Sequence, residues 1–256
     1  MDVLQAPIID GLKNSPLINP GSKTYFPILS FIMCQYQMEP EMLYKEIQRE
    51  CIEKNAILVI VSKNQSLEAI KAYYDLGHRD FAENRVQNLL ERKDALPADI
   101  RWHLIGHLQS NKVKNIIKFV HLIHTVDSIK LLEAISSQAE KEGRIIPVLI
   151  QIKVAEEESK YGLDPSALSG FLQEVFERKF EFIQVRGLMA MATFTADESK
   201  IRSEFHTINT LYEESKSSPY IDSSIFTEIS MGMSSDYKIA LESGSTMIRV
   251  GSLLFQ

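Results

Sequence analysis

The chain has 256 residues, 34 of them acidic and 28 basic, for a net charge of −6, and 45% are hydrophobic. These proportions belong to a folded chain and exclude disordered and collagen-like classes, while the length suits one large α/β core. The acidic balance argues against a general nucleic-acid or anionic-membrane surface, since either wants a concentrated Lys/Arg face.

Cys34 and Cys51 stand far apart in no metal-like spacing. Neither a disulfide framework nor a zinc knuckle is read from them, and a reducing, cytoplasmic setting is expected. The apolar stretch 25–33 is too short to span a bilayer and follows Pro20 and Gly21 rather than a basic leader, so neither a membrane segment nor a secretion signal is expected. In such a chain Asn64-Gln65-Ser66 matches a glycan acceptor by chance.

Residues 1–37 carry several Pro and Gly, few charges and no sustained periodicity. They are expected to form a loosely attached extension, with Met33 and Met38 as candidate translation starts, and the domain is expected over 38–256. Within it, 39–53 has a helical apolar stripe, and Ile57 to Val61 is a continuous apolar run of the kind found in doubly covered parallel strands. Helices are predicted over 65–76, 84–94, 109–118, 129–142, 165–178, 197–217 and 235–243. The strands between them fall at 79–82, 101–105, 121–125, 146–152, 183–190, 226–230 and 247–250.

Eight strands in strict alternation with helices imply right-handed crossovers closing a single-domain (β/α)8 TIM barrel. An open doubly wound sheet is the rival, but neither Gly-x-Gly-x-x-Gly nor a Walker motif follows the first strand. The chain stops just after the eighth strand, and the helix over 39–53 is expected to cover that strand in place of a final helix.

Ligand groups of such barrels gather where strands end at their carboxyl side. Lys63 stands there after the first strand; it is either a solvated loop lysine or an amine poised to form a Schiff base. After the seventh strand, Gly232 allows an unusual turn in Ser230 to Asp236, and Ser234 is expected at the N-cap of the next helix. Gly251 and Ser252 follow the eighth strand, and phosphate sites of barrels recur in these last two loops. Arg249 shares the inward face with Gly251 and needs a partner, either Glu228 or a ring nitrogen of a bound heterocycle. A lysine imine, a phosphate cradle and a polar group for a pyridine nitrogen together describe pyridoxal phosphate (PLP).

The blocks Val59 to Lys63, Phe81 to Gln87, Trp102 to Lys112, Gly187 to Met189, Ser230 to Asp236 and Arg249 to Ser252 resemble the pyridoxal phosphate homeostasis protein family, related to the N-terminal barrel of alanine racemases. The resemblance covers roughly residues 39–255. It implies a fold type III PLP-binding barrel, with a Schiff base on Lys63, phosphate contacts from Ser234, Gly251 and Ser252 with Asn84 nearby, and Arg249 facing the pyridine nitrogen. Three departures stand out. Ala82 replaces a usual Gly, Lys153 replaces a usual Asn, and the early end at Gln256 is expected to leave the last phosphate loop less well anchored.

The racemases resembled use a tyrosine from a further domain that this chain does not contain, so two-base racemisation is unsupported. The first expectation is therefore a monomeric PLP carrier of vitamin B6 homeostasis that releases the cofactor to apo-enzymes. The alternatives are a PLP-dependent amino-acid enzyme, such as a weak racemase or decarboxylase, and a barrel binding another phosphate compound. No metal site is assigned: His103 and His107 straddle a strand end, and His121 and His124 face opposite sides of one strand. The run Glu156 to Glu158 and the lysines Lys112, Lys114 and Lys118 are read as solvated, and Met189 and Met191 as core filling.

Overall fold

The computed structural model describes residues 40–156 and 161–256. The extension expected over 1–37, Cys34 and both candidate starts lie outside the described residues. A compact unit runs from Tyr44 to Gln256, and the unit before it is described only over residues 40–43.

Eight parallel strands close in chain order, β1 pairing with both β2 and β8. They are β1 (Ile57–Val61), β2 (Asp80–Glu83), β3 (Arg101–Leu104), β4 (Leu122–Val126), β5 (Ile146–Ile152), β6 (Ile183–Ala190), β7 (Glu228–Ser230) and β8 (Met247–Val250). The helices are α1 (Pro40–Glu53), α2 (Leu67–Asp75), α3 (Val86–Ala95), α4 (Val113–Ile116), α5 (Ile129–Lys141), α6 (Leu168–Arg178), α7 (Glu198–Lys216) and α8 (Tyr237–Glu242). The (β/α)8 barrel read from the alternation is the observed fold.

Local chemistry sets the boundaries. Ser66 opens α2 by accepting the Ala69 N–H at 3.2 Å, so the serine of the apparent glycan motif is a helix cap. Asp197 likewise accepts the N–H groups of Ser199 and Lys200 at the head of α7. The helix predicted over 109–118 is shorter: a 3-10 turn, Ser110–Lys112, leads into the single turn of α4. Ser and Asn compete with the backbone for hydrogen bonds, β-branched Val113, Ile116 and Ile117 lose rotamer freedom in a helix, and one turn suffices to bury all three.

Side chains alternate across each strand into two cores. Val59, Val61, Ala82, Leu122, Leu149, Met189 and Met247 fill the barrel interior, as expected for Met189, while Leu58, Ile60, Ile70, Leu89 and Phe205 are buried between strands and helices. α1 lies between α2 and α8. Tyr44 packs edge-on against Tyr73 of α2, with ring centroids 5.4 Å apart, and Glu50 pairs with Lys238 of α8 at 3.2 Å. Cys51 is buried in α1, and burial pushes its thiol pKa up to about 12, making it a core residue rather than a reactive one.

Candidate functional site

Barrel closure brings the strands that carry the predicted site residues side by side. Lys63 and Asn84 follow β1 and β2 and are exposed at the C-terminal mouth, Ser234 follows β7, and Gly251 and exposed Ser252 follow β8. Val59 pairs with Arg249 across the β1–β8 seam, so Gly251 abuts Val61. A Cβ built on Gly251 would lie 2.8 Å from the Val61 carbonyl oxygen, closer than real contacts allow. Glycine here lets the last loop approach the strand that leads to Lys63.

Ser234 is not the N-cap of α8; that position belongs to Asp236, whose carboxylate accepts the Met233 N–H at 2.5 Å. Gly232 makes the intervening turn with φ +93°, where a Cβ would fall 2.4 Å from that of Ala240. The turn lifts Ser234 toward β8. There its Oγ accepts the N–H of Gly251 at 3.2 Å and of Leu253 at 3.4 Å. With both lone pairs engaged, the hydroxyl presents its O–H to any further partner, which makes it a donor for an anion.

The early chain end does not leave this loop loose. The Tyr73 hydroxyl donates to the Leu254 carbonyl, the Tyr73 ring packs against Phe255 with centroids 5.1 Å apart, and the Leu254 N–H donates to Gly251 at 2.9 Å.

Arg249 is 3% exposed and lies inside the barrel. Its partner is not Glu228, which pairs with Arg186 at 3.0 Å. Instead Nη1 donates to Ser230 Oγ at 2.5 Å and Nη2 to the Ala190 carbonyl at 2.9 Å. Burial lowers its pKa to about 10, opposed by the charge of Asp236, and it remains a cation at neutral pH.

Glu83, missed in the sequence, closes β2 fully buried below Lys63. Ser62 Oγ donates to it at 2.7 Å, and it pairs with buried Arg92 at 2.7 Å. Burial raises the Glu83 pKa, while Ser62, Arg92, Asn88 and the Lys63 charge oppose that rise. Ala82 packs in the barrel interior beside Val59 and Val61. At the rim, the His107 ring stacks on Tyr161 at 4.1 Å, and Tyr161 O accepts from Gln151 at 2.9 Å. Glu156 pairs with Lys200, and Lys118 with Glu142; Glu157 and Glu158 lie outside the described residues.

His121 and His124 were expected to face opposite sides of one strand and form no joint site; the His103 ring lies against both, at centroid distances of 5.3 and 5.2 Å. Possible ligand atoms of Asp80, His103 and His121 fall within 4.8 Å of one another. Both Asp80 oxygens already accept hydrogen bonds, from Arg101 and from His103 Nε2. Burial opposes ionisation of Asp80, but these hydrogen bonds overcome it and hold the carboxyl below the usual carboxylate range. The signal available in the sequence was register, since His124 shares the parity of inward-facing Leu122.

The family model described as "Alanine racemase, N-terminal domain" matches residues 44–256, which fixes the class of this barrel. A pyridoxal phosphate homeostasis protein of Aquifex aeolicus is 35% identical over 219 residues, covering 82% of this chain and 93% of the relative. The chain belongs to the pyridoxal phosphate homeostasis protein family. PipY of Synechococcus elongatus PCC7942, solved with PLP bound, is 35% identical with a TM-score of 0.71, covering 79% of this chain and 93% of that one. An alanine racemase of Clostridium difficile 630 shares the fold at 17% identity and a TM-score of 0.62, over 81% of this chain and 55% of its own.

Proposed function

We propose that this protein binds PLP at the C-terminal mouth of the barrel, holds it reversibly as a Schiff base on Lys63, and serves as a carrier in vitamin B6 homeostasis rather than as a robust enzyme. The observation that carries the reading is the ordering of an amine, an anion donor and a buried cation on adjacent strands. Lys63 follows β1, Arg249 lies in β8, and Ser234 reaches from β7 to Gly251.

The donor set fits the cofactor. PLP supplies an electrophilic aldehyde, which a primary amine captures with loss of water. The Ser234 O–H, its oxygen fixed by two amides, suits the phosphate, and Ser252 and Asn84 are proposed as further contacts to it. The Arg249 guanidinium suits the ring nitrogen and disfavours its protonation, weakening the ring as an electron sink. That is compatible with carriage, although the related racemases resemble it in this respect. PipY, solved with PLP bound, supports the cofactor assignment. The carrier is proposed to act as a cytoplasmic monomer with apo-enzymes as recipients.

Incubation with PLP should give a visible absorbance band, and borohydride should fix the cofactor mass on Lys63, with no adduct in Lys63→Ala. Transfer of cofactor to an apo-enzyme without amino-acid turnover is the expected behaviour. Sustained turnover lost in Lys63→Ala would replace the carrier with an enzyme.

A further inference from the structure

Arg249, Ser230, His124, His103 and Asp80 form one buried file across the barrel, from the ring-nitrogen cation to the first residue of β2. Both ends fix its direction, because a guanidinium only donates and a carboxylate only accepts. Arg249 Nη1 donates to Ser230 Oγ at 2.5 Å, and the Ser230 O–H then donates to His124 Nδ1 at 3.0 Å. A neutral imidazole that accepts at Nδ1 carries its proton on Nε2. His124 therefore donates from Nε2 to His103 Nδ1 at 2.9 Å, and His103 donates from Nε2 to Asp80 Oδ1 at 3.2 Å.

We infer that Asp80, acting through this one-way chain, is a positioning residue for Arg249, holding the guanidinium in the orientation that meets the cofactor ring. The consequence for the cofactor rests on the PLP reading; the direction of the chain does not. Reversing the upper bonds would require a proton on both nitrogens of His103, adding a buried cation in file with Arg249. Keeping the histidines neutral but inverted would set an unprotonated His103 Nε2 against the Asp80 carboxylate, leaving a buried acceptor opposed to an anion. Arg101 holds Asp80 from the barrel base, and His121 lies against His103.

Two measurements on the full-length protein test this. Imidazole nitrogen NMR at neutral pH, assigned with His103→Gln and His124→Gln, should show both histidines neutral and protonated at Nε2. A proton on Nδ1 of either, or two protons on His103, would overturn the chain. In the second, Ser230→Ala should release PLP about tenfold faster and shift the adduct's absorbance band, since it removes a hydrogen bond to a charged group. Asp80→Asn should move both readouts in the same direction, and Ser230→Thr should restore them, with thermal melts confirming folded variants. Release and spectra equal to wild type in Asp80→Asn would overturn the positioning role of Asp80, whatever Ser230→Ala shows. A wild-type protein that forms no adduct would overturn the cofactor reading, while the NMR still decides the chain's direction.

Discussion

The Ser234 hydroxyl oxygen takes the Gly251 N–H at 3.2 Å, so one side chain spans the ends of β7 and β8 and presents its proton to the mouth. Ser234→Ala removes the acceptor for two amides together with that donor. PLP affinity should fall at least about tenfold, the effect of a hydrogen bond to a charged group. Affinity for pyridoxal, which has no phosphate, should change little. Fluorescence titration of both vitamers checks this, and equal losses for the two would show that the serine does not meet the phosphate.

Gly251→Ala places a methyl against the Val61 carbonyl, a backbone atom held in the β1–β8 seam. The strands must part locally, at a cost of about 1–3 kcal/mol for overpacking. The urea midpoint should drop, and PLP binding should weaken because Ser234 loses its register. A variant as stable as wild type would mean that the seam yields freely.

Arg92→Met leaves Glu83 buried without its ion partner, and removal of one member of such a pair destabilises by about 3–5 kcal/mol. Glu83 already titrates above its ordinary value through burial, and loss of Arg92 raises it further. The folded variant then binds a proton that the unfolded chain releases, so its stability deficit relative to wild type should shrink as pH falls from about 7 toward the unfolded glutamate value of about 4.3. Denaturant midpoints across that range decide it; a deficit that deepens on acidification would contradict the assignment.

The stability of the wild-type protein itself should fall over the same range. Burial pushes His78 and His121 down to about 4, and His124 is also well below its ordinary value. Below the unfolded histidine value of about 6.5, the unfolded chain takes up protons that the folded one refuses. Stability should therefore decline as pH drops from about 6.5 toward 4, only partly offset by Glu83. Equilibrium unfolding at successive pH values gives the slope, and a flat profile would show that these imidazoles are accessible to protons in the folded state.

Much of the barrel was legible because alternation is a strong local signal: Ile57 to Val61 and Ile146 to Ile152 fall where apolar runs place them. The mouth residues were legible by position, since Lys63, Ser234 and Gly251 each follow a strand. What escaped was tertiary pairing. Glu228 stands on the strand next to Arg249, but the β7–β8 register pairs Ser230 with Met247 and leaves Glu228 nearer the barrel base, where Arg186 of β6 reaches it, while Arg249 turns to Ser230. His103 and His124 lie 21 residues apart, and it is the pairing of β3 with β4, with His103 opposite Leu122, that brings their nitrogens within 2.9 Å.

The β1–β8 seam joins the first strand of the barrel to its last. A molecule gripped by Lys63 on one side and by the Ser234–Gly251 loop on the other would act as a removable staple across that join. Loading would then hold the ends of the sheet together and slow its unzipping, raising apparent stability in proportion to the logarithm of free ligand. Emptying the protein would loosen the place where the circle is sealed.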